Sequence, residues 1–101
     1  PHVLRYLFGH VDGRRDLLAE ALGVDTRSLD ADATAAAVVD AVADVRDDLG
    51  LPDRLRSIDG LARSDLDDVA QRIVDDSLMA TVPSGVDPAK ADVREVLDAA
   101  W

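Results

Sequence analysis

The sequence predicts an all-α protein of about five helices. Every long segment repeats its apolar residues with a period of about 3.6, the spacing of one helix face. No segment alternates with period two over a useful length, so no strand is expected. Glycine and proline fall at the ends of the apolar stripes, where they stop helices, rather than inside them.

The elements follow in order. Val3, Leu4, Leu7 and Phe8 form the last turns of a helix broken at Gly9. Asp12 is placed to cap a second helix, with Leu17, Leu18, Ala21 and Leu22 turned inward and Gly23 as its stop. A third, longer helix runs from Asp30 or Asp32 to Leu49. Val38, Val42, Val45 and Leu49 make its stripe, and Gly50 and Pro52 end it. Leu51, Leu55, Ile58 and Leu61 anchor the short segment that follows. Ser64 opens a fourth helix, with Ser64-Asp65-Leu66-Asp67 as a capping box that has Asp in place of Glu. Leu66, Val69, Ala70, Ile73 and Ser77 face inward there, while Asp68, Arg72 and Asp76 stand four apart on the outer side. Thr81 to Pro88 is a loop. A last helix starting at Pro88 or Ala89, with Asp87 at its entry, presents Val93, Val96, Leu97 and Ala100 and ends on Trp101.

With 101 residues the chain is the size of one small domain. Of its residues 48% are hydrophobic, but these are mostly Ala, Val and Leu, with one each of Phe, Tyr, Trp and Met. Such residues bury little area each, so the core is thin and stability marginal. Pro1 opens directly on an apolar helical run without an initiator Met, which leads us to expect a piece of a larger chain.

Acidic residues number 21 against 11 Lys and Arg, a formal charge of −10. Nineteen of the acids are Asp, and Lys90 is the one Lys. A chain this negative repels nucleic acid and anionic membranes, which excludes both as expected partners. The acids are interleaved with apolar residues at helical spacing, so this is not a disordered acidic tail. Two origins fit the Asp excess: adaptation to high salt, where a dense carboxylate surface stays hydrated, or a GC-rich genome. The chain has no Cys and hence no thiol chemistry. No signal peptide or membrane-length apolar run is visible, so the cytoplasm is the expected compartment.

Little in the chain carries chemistry. His2 and His10 stand eight apart across Gly9, not at the i, i+4 spacing that lets one helix hold a metal. Asp40, Asp44 and Asp48 line one helix face; a solvated acidic face explains them better than a cation site, which needs a folded loop. Asp76-Ser77-Leu78 is similar to the attachment triplet of acyl carrier proteins, where the Ser stands at the start of a long helix. Here Ser77 is expected at the end of one, with Pro83 close behind. No phosphate-cradling Gly loop, nucleophile elbow or metal cluster is present, and no catalytic, cofactor-binding or metal-ligating residue is assigned.

Several landmarks, in order, resemble the C-terminal region of the iron-containing alcohol dehydrogenase family, which includes lactaldehyde and maleylacetate reductases. They are Pro1-His2-Val3-Leu4-Arg5-Tyr6, Leu18-Ala19-Glu20-Ala21-Leu22-Gly23, and Asp48-Leu49-Gly50-Leu51-Pro52 with Leu55. Ser64-Asp65-Leu66 with the helix to Asp76 follows, then Asp92-Val93-Arg94 through Leu97, Ala99, Ala100 and Trp101. The resemblance implies that residues 1–101 are the distal part of the helical domain of a dehydroquinate synthase-like fold, lacking the nucleotide-binding domain. It also implies a parent that uses NAD(P) and a divalent metal, iron or zinc, to move hydride between nicotinamide and an alcohol or carbonyl carbon. The family's metal ligands, one Asp and three His, are implied to precede Pro1, so the chain itself holds no cofactor and His2 is not a ligand. Many members carry Asn-Pro-Arg in the loop before the last helix. This loop has no Arg, and Thr81 and Pro83 are its candidates for the edge of the substrate cleft. The expected partners are the missing N-terminal part of the same chain and further copies in a homo-oligomer. The alternatives are an acidic helical protein-interaction module or an acyl-carrier-like domain.

The salt-adaptation reading predicts that thermal melts rise as salt is raised from dilute buffer to molar concentration, because screening relieves carboxylate repulsion. Equal or greater stability in dilute buffer would leave genome composition as the explanation.

Overall fold

A computed structural model describes residues 1–12 and 14–101. Among them there are five α-helices and no strand: α1 His2–Phe8, α2 Arg15–Ala21, α3 Ala31–Asp48, α4 Leu66–Val74 and α5 Lys90–Ala99. Short 3₁₀ turns lie at Leu55–Ser57, Arg63–Asp65 and Ser77–Thr81. The all-α expectation holds. The packing falls into two units, Pro1–Leu51 and Pro52–Trp101.

In the first unit α3 packs against both α1 and α2. Asp30 caps α3, its carboxylate accepting from Ala33 N at 2.8 Å. The glycine stops at Gly23 and Gly50 behave as read. Leu51 N donates to Arg46 O at 3.1 Å and Gly50 N to Asp47 O at 2.9 Å, closing α3 in a Schellman motif. Val24 N to Ala19 O at 2.8 Å and Gly23 N to Glu20 O at 3.1 Å close α2 in the same way. Both motifs need a left-handed residue, and Gly23 and Gly50 take φ of 72° and 66°.

The inward faces of this unit differ from the expected ones. On α2 only Ala19 is buried; Leu17, Leu18, Ala21 and Leu22 are exposed. On α3 Thr34, Val38 and Val39 are buried and Val42 is half-buried, but Val45 and Leu49 are exposed. Length explains α3. Its partners have seven residues each against its 18. At 1.5 Å per residue each spans about 10 Å of the roughly 27 Å of α3, so neither covers its whole length. On α2, which packs on α3, the small Ala19 is the fully buried side chain and the leucines remain in solvent. Asp12 does not cap α2. Arg14, at φ 53°, holds the N-cap position, and the Asp12 carboxylate pairs with Arg15 at 3.0 Å.

In the second unit α4 packs on α5. Leu66 and Ala70 are buried and Val69 and Ile73 half-buried, as their spacing predicts. The helix ends at Val74, however, which leaves Ser77 outside it and exposed. Leu55 and Leu61 are half-buried, whereas Ile58 and, at the end of the first unit, Leu51 are 48% and 55% exposed and do not serve as the expected anchors. The entry signals are displaced too. Asp65, not Ser64, serves the fourth helix: its carboxylate accepts from Ala62 N at 2.9 Å. Asp92, not Asp87, does the same for α5, accepting from Ala89 N at 2.8 Å. Each is the returning half of a capping box whose first residue, Ala, has no acceptor to supply the other half. Arg72 pairs with neither Asp68 nor Asp76; the neighbouring i, i+4 contact forms instead, with Gln71 Nε2 donating to Asp75 Oδ1 at 3.0 Å.

Two stability predictions follow. A Cβ at Gly50 meets nothing within 4 Å, so Gly50→Ala acts through its positive φ alone. It should cost about 1–2 kcal/mol in denaturant titration, and no loss would rule out the left-handed stop. Leu66 is fully buried, and Leu66→Ala should cost about 2–5 kcal/mol by the same measurement.

Candidate functional site

The loop expected to edge a cleft lies in the second unit. Asp76 turns the chain after α4, its carboxylate accepting from Leu78 N at 2.8 Å and starting the 3₁₀ turn Ser77–Thr81. Ser77 therefore opens a five-residue 3₁₀ turn, not a long helix. The Thr81 hydroxyl donates to Leu78 O at 2.6 Å. That proton is committed within the turn, and Thr81 presents only oxygen lone pairs outward. Pro83 is exposed, and its carbonyl accepts from Val86 N at 3.1 Å. Val86 is buried, 8% exposed, and pins the loop to its unit. The sequence reading treated 81–88 as plain loop and missed this anchor; a lone apolar residue between Gly85 and Asp87 was its one signal. Leu78 stands 70% exposed beside Thr81.

The charged groups of this unit converge on α5. Arg63 Nη2 donates to Asp98 Oδ1 at 3.0 Å, and Arg94 Nη2 donates to the same oxygen at 3.2 Å. Arg94 Nε lies 3.0 Å from Asp98 Oδ2, completing the ion pair. Asp98 is thereby held below the ordinary carboxylate range, first by Arg94 and then by Arg63. Lys90 Nζ donates to Asp67 Oδ2 at 2.6 Å, joining α5 to α4 and lowering the Asp67 pKa. The end of α5 is also clasped: Leu55 N donates to Ala100 O at 2.9 Å and Arg54 Nη1 to Ala99 O at 3.4 Å. These bonds satisfy carbonyls that a helix C-terminus leaves open. The Arg94–Asp98 contact is legible at i, i+4; Arg63, 35 residues from Asp98, has no local signal.

Among the described residues, two clefts lie in the first unit. One, of about 220 Å³, is lined by Arg5, Phe8 and Gly9 with Asp32, Ala35, Ala36 and Val39. The other, of about 360 Å³, is polar, with Asp12, Arg15, Asp16, Thr26, Asp30 and Thr34 among its lining. Arg15 and Asp12 pair there, which leaves Asp16 and Asp30, both negative, as the remaining charges of its lining. His10 donates from Nδ1 to Tyr6 O at 2.8 Å, and its ring lies tilted by 37° against the Tyr6 ring, centroids 4.3 Å apart. It is a helix-end contact. Asp40, Asp44 and Asp48 stand exposed along α3. Among the described residues no three His, Asp or Glu side chains converge so as to hold a metal ion. No described helix is long and apolar enough to cross a membrane.

No protein-family model matches the chain. It is similar to the lactaldehyde reductases of Escherichia coli (strain K12) and Escherichia coli O157:H7, 30% identical to each over 104 aligned positions. The alignment takes in all of this chain and 26% of each relative, so the chain spans about a quarter of their length.

The lowered Asp98 and Asp67 set a pH dependence. A carboxyl depressed in the folded state adds stability above its unfolded pKa of about 3.9, and that stability is lost as pH falls through the folded value. Asp98→Asn should therefore melt below the parent sequence at neutral pH, with the gap closing in thermal melts taken below about pH 4. A gap that stays constant with pH would mean that the Arg63–Asp98–Arg94 cluster contributes no charge-dependent stability.

Proposed function

We propose that this chain is the C-terminal helical part of an NAD(P)- and metal-dependent alcohol dehydrogenase that interconverts an alcohol and an aldehyde, and that it is inactive alone. One observation carries the reading: the whole of the chain aligns, at 30% identity, with a quarter of a lactaldehyde reductase. The order of the sequence landmarks and the all-α fold agree with it.

On this reading the nicotinamide and the metal, iron or zinc, are held by residues outside 1–101. A bound divalent metal polarises the substrate oxygen as a Lewis acid. No set of three or more ligands for it converges among the described residues, so no step of hydride transfer is assigned to this chain. What the chain supplies is a wall. The turn at Thr81 and Pro83 is the part nearest substrate, and with the Thr81 proton bound to Leu78 O it offers no hydroxyl donor there. The exposed Val3, Leu17, Leu18, Val45 and Leu49 are faces for the rest of the enzyme to cover, or for further copies in a homo-oligomer. The protein is assigned to the cytoplasm. The same exposed apolar residues on a chain of charge −10 favour a second reading, an acidic helical interaction module.

The test is to express the complete reading frame, load it with iron or zinc, and follow nicotinamide absorbance with short aldehydes and alcohols. Turnover that disappears when residues 1–101 are deleted, in a product that still binds nicotinamide, is the expected result. A reading frame encoding no nucleotide-binding domain, or a metal-loaded product without turnover, would overturn the dehydrogenase reading.

A further inference from the structure

We draw no further inference here: the strongest candidate, the exposed apolar face of α2 formed by Leu17, Leu18 and Leu22, has nothing in the structure to show what covers it.

Discussion

Scarcity of large apolar side chains is the constraint on which the rest of this structure depends. The largest fully buried side chains are Leu66 and Val38, and Ala19 and Ala70 fill other central positions. Small residues at helix contacts bring backbones close but remove little area from water. Neither unit has a broad core, so each gains order where its helices begin and end. α2 and α3 stop in Schellman motifs, α3 opens on the Asp30 cap, and α5 ends under the Arg54–Leu55 clasp. Terminal hydrogen bonds of this kind contribute about 1 kcal/mol each, a meaningful share of the stability of a small domain.

The acidic composition has two structural uses besides solvation. Asp30, Asp65, Asp76 and Asp92 accept from backbone N–H groups at or near the starts of helical segments, where negative charge is favoured by the helix dipole. Asp67 and Asp98 instead bridge elements distant in sequence, through Lys90 and through Arg63. The exposed pairs such as Arg27–Asp25 hold local geometry only, since solvent screens them. Asp40, Asp44 and Asp48 remain exposed on the surface of α3.

Legibility of the candidate site was uneven for a physical reason. Thr81 and Pro83 came from position in a resemblance, and the structure adds how the turn uses their polar atoms. The Thr81 bond to Leu78 O and the anchoring of Val86 depend on the chain reversing after Asp76, which a pattern of apolar spacing does not encode. Ser77 illustrates the same limit. Spacing placed it on the inner face of a continuing helix, but the helix ended at Val74 and the turn capped by Asp76 carried Ser77 outward.

The sequence by itself determined the all-α class, the five helical segments and both glycine stops, because each depends on residues within a few positions of one another. It also determined the inner face of α4, where Leu66, Val69, Ala70 and Ile73 repeat at helical spacing. Tertiary structure alone decided which apolar side chains α2 and α3 bury. Leu17, Leu18, Leu22, Val45 and Leu49 match a helical stripe as well as Val38 does, but a stripe is buried only where a partner helix lies. On α3, which packs against the seven-residue α1 and α2, the fully buried residues are Thr34, Val38 and Val39. The Arg63–Asp98 contact was decided in the same way, by chain that returns to α5 across 35 residues.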